Sequence, residues 1–382
     1  MAWRSLLECL VIAMLISIGS KIIEGPWGGG NLFVKNLSAF LTLNGHKVIF
    51  DLSEPNIDLI LLTDPRSRKE SSSSFNHLEI KKYKEYVNNN VKVVQRINEC
   101  DERKGTKNIN NFYLKASDYA DHVVFVSSWL EKIYHELGMK KEKTSVILSG
   151  SNTAIFNDEK SAIYTGKEPL KLFTHHWSSH RNKGFEIYKL IDDLINSERW
   201  NNKLEFTYVG NVSEEYEFFN SDIKKPLAGI ELAKEIKKHH IYVTASINEP
   251  SGNHHIEAAQ CGLPILYLDS GGIPEYCNGF GISFINDFEN KLEEIIDSYD
   301  TLKEKLKNYP FNSNKMCEEY LDLFQNLLET NDNLSNVNSN YSLRGRLLIL
   351  KNKFLRIFRD QLYLNIKNKL ANFYRDRIKT YD

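Results

Sequence analysis

The 382-residue sequence predicts an α/β protein: two doubly wound parallel-sheet domains facing a cleft, followed by a basic helical tail. Three observations predict it. Short apolar runs of strand length alternate with amphipathic stretches of helix length, the pattern of parallel sheets covered on both faces. The alternation pauses once, over "NDEKSAIYTGKEP", and then restarts. The chain also exceeds the length at which a single core usually splits.

Arg4 precedes an apolar run from Leu6 to Ile18 that Glu8 interrupts. The run is shorter than the roughly 20 residues of a spanning helix. It suits a signal-like segment, a weak anchor, an extra helix or an upstream start, and residues 1–19 are set apart on that basis. "SKIIEG" then reads as the first strand, "PWGGGN" as a glycine turn, "NLFVKNLSAFLTLNG" as a helix and "HKVIFDL" as the second strand. "IDLILLTD", "VKVVQRI", "DHVVFVS" and "TSVILSG" continue the first domain, expected over 20–160, with helices at Ile109–Tyr119 and through Tyr134. "LKLFTHHW", "LEFTYVGN", "IYVTAS" and "LPILYLD" are the strands of a second domain over 161–328, separated by the helices "GFEIYKLIDDLIN", "GIELAKEIKKH" and "HHIEAAQCG". The Asn/Ser-rich residues 329–342 read as a linker.

Beyond the linker, in 343–382, Leu347, Leu350, Phe354, Phe358, Leu362, Ile366, Leu370 and Phe373 recur at helical spacing with basic residues between them. Residues 341–382 hold 11 Lys/Arg against 3 Asp/Glu, a net +8, while the rest of the chain holds 38 against 47. Such a helix can lie on anionic lipid or pack on the acidic body. A net charge of −1 predicts no polyanion partner, nucleic acid included, for the molecule as a whole. Five scattered cysteines without CxxC spacing argue for a reducing compartment, so the expected location is cytoplasmic, with membrane association through the tail.

Two stretches carry chemistry. Pro26-Trp-Gly-Gly-Gly-Asn31 lies between strand and helix, where glycines admit close approach of a ligand and the helix start offers N–H groups to phosphate, or else form only a tight turn. Glu249-Pro-Ser-Gly-Asn-His-His-Ile-Glu257 occupies the same place in the second half, with Gly252, Asn253 and His254 opening a helix. His254 and His255 point about 100° apart on it, so they do not chelate one ion with Glu257. With no HExxH or Asp-x-Asp in the chain, a metal site is the weaker reading, and one histidine in a core position with the other half-exposed is the stronger.

Together with "CGLPILYLDSGGIPE", from Cys261 to Glu275, this stretch resembles the donor-binding E-x7-E signature of retaining glycosyltransferases of family 4. "GGGNLFVKNLSAFLTLNGHKV" is similar to that family's opening, and the resemblance spans roughly residues 20–328. It implies a GT-B fold, no metal and no cofactor, a nucleotide-sugar donor, and a glycan or lipid-linked acceptor. Glu257 is implied to meet the ribose, Glu249 the donor sugar, and Gly29, Gly30, Gly252, Asn253 and His254 the donor's phosphates and pocket. Lys183 is implied to neutralise the leaving diphosphate. Trp177 stands where the family has an arginine, which leaves Arg181 as the nearest substitute. "QRINECDERKGT" places Arg96, Asn98, Glu99 and Asp101 as candidates for the acceptor wall, or as a charged loop paired within itself. Two further functions fit the same architecture: a sugar-nucleotide epimerase, and a binding subunit without catalysis.

Overall fold

The computed structural model describes residues 13–23, 28–66, 73–329 and 341–358. In the first domain six strands, β1 (Leu15–Ile18), β2 (Lys47–Ile49), β3 (Leu59–Leu62), β4 (Lys92–Ile97), β5 (His122–Phe125) and β6 (Thr144–Val146), pair in the order β2-β1-β3-β4-β5-β6. Five helices accompany them: α1 (Gly29–Leu43), α2 (His77–Tyr86), α3 (Asp101–Lys104), α4 (Ile109–Ser117) and α5 (Ser128–Glu136).

The second sheet, β7 (Leu170–His176), β8 (Leu204–Gly210), β9 (Asp222–Lys224), β10 (Ile241–Thr244), β11 (Ile265–Leu268) and β12 (Gly281–Phe284), runs β12-β11-β10-β7-β8-β9. Its helices are α6 (Phe185–Leu194), α7 (Gly229–Ile236), α8 (Asn253–Gln260), α9 (Ile273–Cys277), α10 (Phe288–Asp297) and α11 (Tyr299–Leu306). A further helix, α12 (Ser313–Glu329), follows. Every strand pairing in both sheets is parallel. This is the GT-B arrangement of two Rossmann-like domains.

The first strand lies earlier than expected. It is "LISI" at Leu15–Ile18, all four residues buried, and not "SKIIEG". A strand inside a parallel sheet is covered on both faces, so a continuous apolar run fits there and one broken by Lys21 and Glu24 does not. Residues 14–18 therefore belong to the first domain's core, and the division between a separate segment 1–19 and a domain from 20 moves accordingly. Residues 1–12 lie outside the described residues. Among those described, no helix is long and apolar enough to cross a membrane.

The end of the second domain also moves. Met316, Cys317, Tyr320, Phe324 and Leu328 of α12 pack with Phe33, Val34, Leu37 and Leu41 of α1, so α12 completes the first domain although it follows the second in the chain. Conversely, Phe156, placed before the expected boundary, is buried in the second domain's core. The two connections run side by side: Ser151 N–H donates to the Phe311 carbonyl at 3.3 Å, and Ser313 N–H to the Ser151 carbonyl at 2.8 Å.

Residues 343–358 form a helix, as the apolar spacing indicates. Ile349 is buried in the first domain's core, and Asn352 donates to the Leu52 carbonyl at 2.9 Å. Arg356 reaches Ser53 Oγ at 2.9 Å and Glu54 at 3.6 Å, so the tail docks in part on the acidic body. Most of the linker and residues 359–382 of the tail fall outside the described residues.

The placement of α12 makes a prediction. Phe324→Ala removes a fully buried ring from the α1–α12 contact and should lower stability by about 3–5 kcal/mol. Denaturant unfolding followed by a first-domain probe should show the loss; a change confined to the second domain would contradict the assignment.

Candidate active site

The carboxyl ends of the strands in both sheets face one cavity of about 540 Å³ between the domains, where open α/β sheets bind ligands. The first domain contributes the start of α1 with Gly28, Gly29 and Gly30, Arg96 and Asn98 from the end of β4, and Arg103 and Lys104 from α3. The second contributes His175 and His176 at the end of β7, Trp177 just after it, Lys183, Glu249, and the start of α8 through Glu257.

Glu249 sits at the centre, buried in the turn after β10. One carboxylate oxygen accepts from Lys183 Nζ at 2.5 Å, and the other forms an ion pair with an Arg103 guanidinium nitrogen at 3.1 Å. Burial works to raise its pKa, but the Arg103 and Lys183 cations outweigh burial and hold it down at about 2. Burial pulls Lys183 below the ordinary lysine range, with Arg103 and Lys104 adding to that and Glu249 opposing it.

Local backbone geometry aims these groups. Gly184, at φ 86°, follows Lys183, and a Cβ there would lie 2.1 Å from the Ala245 carbonyl oxygen, so only glycine lets this turn press onto β10. At Gly271, φ 67°, a Cβ would lie 2.5 Å from the Glu249 carbonyl oxygen, and Gly272 N–H donates to that carbonyl at 2.9 Å. Asn248 takes a left-handed conformation, φ 51°, immediately before Glu249; such strain persists where the surrounding structure enforces it.

Glu257 lies on the inner face of α8, where its Oε2 meets His175 Nε2 at 3.1 Å. His254 lines the cavity and shares a hydrogen bond of 2.9 Å with Thr244, whereas His255 lies behind it against the Tyr276 ring, 5.5 Å between centroids. Burial, above all, keeps His176 and His254 well below the ordinary histidine range and His255 at about 3, so these rings are neutral. Among the described residues no three His, Cys, Asp or Glu side chains converge as metal ligands.

Of the residues singled out from sequence, Glu249, Lys183, Gly29, Gly30, Gly252, Asn253, His254, Glu257, Arg96 and Asn98 line the one cavity. Gly29 approaches Asn253 directly across it: a Cβ at Gly29 would stand 3.2 Å from the Asn253 side chain. Two residues do not reach it. Arg181 points to solvent, its side chain 73% exposed and 3.9 Å from Glu186, because the turn that buries Lys183 turns Arg181 outward. Asp101 closes its own loop instead, accepting from Thr106 Oγ1 and from the Ile109 and Asn110 N–H groups at 2.9–3.1 Å. Arg103, Lys104, His175 and His176 enter the site unannounced. Arg103 was visible in a charged loop, but nothing local to that loop says that it meets Glu249 of the other domain.

No protein-family model matches the chain, and no curated protein matches its sequence. Solved structures do match in shape. A glycosyltransferase from Rickettsia africae is 15% identical with a TM-score of 0.58, covering 84% of this chain and 100% of its own. The catalytic domain of starch synthase IV from Arabidopsis thaliana, bound to ADP and acarbose, is 12% identical with a TM-score of 0.61, covering 83% and 99%. Anabaena HepE in complex with UDP-glucose is 13% identical with a TM-score of 0.58, covering 82% and 99%. At such identities the likeness establishes the fold, and these structural neighbours are glycosyltransferases.

The Glu249 cluster predicts a pH dependence. Its pKa is depressed from the ordinary 4.5 to about 2, so its stabilisation is complete above about pH 4.5 and is lost as pH falls towards 2, a change of about 3 kcal/mol. Chemical denaturation at stepped pH should show that part of the acid loss missing from Glu249→Gln; identical acid profiles for the two proteins would contradict the cluster.

Proposed function

We propose that the chain is a retaining glycosyltransferase that moves a sugar from a nucleotide-sugar donor to a hydroxyl of a glycan or lipid-linked acceptor without a metal ion. The observation that carries this is Glu249, a buried carboxylate beside Lys183 in the interdomain cleft, with Glu257 further along α8 and two helix starts at the same cavity. The HepE structures hold UDP and UDP-glucose, which supports a nucleotide sugar as the donor of this fold.

In this reading Glu257, held by His175, accepts from the ribose hydroxyls, and Glu249 lies against the donor sugar. Main-chain N–H groups at Gly29, Gly30, Asn253 and His254 and the Lys183 ammonium meet the diphosphate. The bond from anomeric carbon to diphosphate oxygen breaks with its electron pair leaving on the phosphate. Cations and N–H groups aimed at that oxygen stabilise the charge as it develops. The acceptor hydroxyl, placed near Arg96 and Asn98, attacks from the same face and passes its proton to the departing phosphate, which retains configuration.

The helix at 343–358 supports contact with an anionic lipid surface. Leu343, Leu347, Leu350, Phe354 and Phe358 form one apolar face, each residue more than half exposed, while Ile349 and Asn352 face the protein. Exposed basic residues, Arg346 and Lys351 among them, border that face, the arrangement of helices that lie in a charged bilayer interface.

Two expected outcomes follow. Thermal-shift screening with UDP-, GDP- and ADP-sugars should find a stabilising donor. Glu249→Ala should then abolish transfer and donor hydrolysis while nucleotide still binds, and Glu257→Ala should weaken nucleotide binding about 10- to 100-fold. Binding without turnover by the wild type would indicate a non-catalytic subunit, and interconversion of free nucleotide sugars an epimerase. In flotation assays the full chain should accompany vesicles containing an anionic lipid and not purely zwitterionic ones, and Leu350→Asp with Phe354→Asp should abolish this; wild-type protein that stays behind would sink the lipid reading.

A further inference from the structure

We propose that Arg103, from the first domain, is the second cation of the donor site and holds the diphosphate together with Lys183 from across the cleft. This rests on the nucleotide-sugar reading above.

Arg103 and Lys183 come from different domains and meet at the two oxygens of one carboxylate, at 3.1 Å and 2.5 Å from Glu249. Two further bonds fix the first domain's α3 to the second domain. Asn182, which precedes Lys183, donates through Nδ2 to the Arg103 carbonyl at 2.9 Å. Asn248, which precedes Glu249, donates to the Glu102 carbonyl at 3.2 Å. The neighbours in sequence of both second-domain site residues thus grip the main chain on either side of the Arg103 side chain. With the domains so placed, Arg103 belongs to the site as fully as Lys183 does.

The local charge balance leaves room for an anion. Lys183, Arg103 and Lys104 face Glu249 and Glu99, with Arg103 also 3.3 Å and Lys104 3.9 Å from Glu99. Three cations share two carboxylates, an excess of one positive charge at the cavity wall. A guanidinium presents a planar fork of donors suited to phosphate oxygens. Glu249 keeps the fork ordered and charged before the donor arrives. Arg181, the basic residue nearest Lys183 in sequence, is turned away from the cavity. As the anomeric bond breaks and the electron pair passes to the diphosphate, charge grows between Arg103 and Lys183. Closing the domains is then what completes the leaving-group site.

The test compares nucleoside diphosphates with their monophosphates, UDP with UMP, GDP with GMP and ADP with AMP, by calorimetry on the full chain. The wild type should favour the diphosphate. Arg103→Gln should reduce that preference about 10-fold or more while monophosphate affinity, which reports a folded site, stays close to wild type. Arg103→Lys should restore part of it, and donor hydrolysis by Arg103→Gln should fall about 100- to 1000-fold in kcat. Diphosphate preference intact in Arg103→Gln would overturn the role of Arg103 alone, as would loss of the preference on Arg181→Ala in its place. Failure of the wild type to bind any nucleotide would overturn the donor reading and this role with it.

Discussion

A buried carboxylate between two cations from opposite domains is the interaction on which the rest of this structure turns. Glu249 is buried in the cavity wall, and an unpaired charge there would cost several kcal/mol. Lys183 and Arg103 remove that cost, and in doing so they fix three chain segments: the turn after β7, the turn after β10, and α3. Glycines at 184 and 271 exist where those turns press on their neighbours, since any Cβ would collide with main chain. The interdomain cavity is thus built around a charge cluster whose members need one another.

The second domain's other contribution is a set of neutral rings. His176, His254 and His255 are buried deeply enough that protonation is disfavoured, and His175 is spent on Glu257. Imidazoles in this state serve as hydrogen-bonding walls. The positive charge of the site is concentrated around Glu249, where Lys183 and Arg103 meet its carboxylate.

The domains are joined more firmly than by two connecting strands. Glu275, at the start of α9, accepts from the Ser128 and Trp129 N–H groups at 2.9 Å and so caps α5 of the first domain. Its carboxylate meets the positive end of a helix dipole, a stabilising placement. Tyr276 bridges the Val126 carbonyl and the Ser149 N–H. The return of α12 to α1 and the paired segments at Ser151 and Ser313 add to these contacts.

The alternation of apolar and amphipathic runs was enough to read two parallel-sheet domains, most strands within a residue or two, and a helical tail, because periodicity is a local property of the chain. The spacing of Glu249 and Glu257 about a helix start, and the glycine loop ahead of α1, likewise placed seven candidate residues that the fold gathers into one cavity, with Lys183 added by the family resemblance and Arg96 and Asn98 by the charged loop after β4. The short strands β9 and β12 were not read from the sequence, and three further things were not legible. "LISI" at the end of an apolar run has the composition of a leader as much as of a strand, and only pairing with β2 and β3 decides between them. α12 reads as the close of the domain it follows, yet its apolar face finds α1, a contact some 290 residues distant in sequence. Arg181 and Arg103 are both exposed-looking arginines in charged loops; which of them faces Glu249 depends on how two domains dock, and no local pattern encodes that.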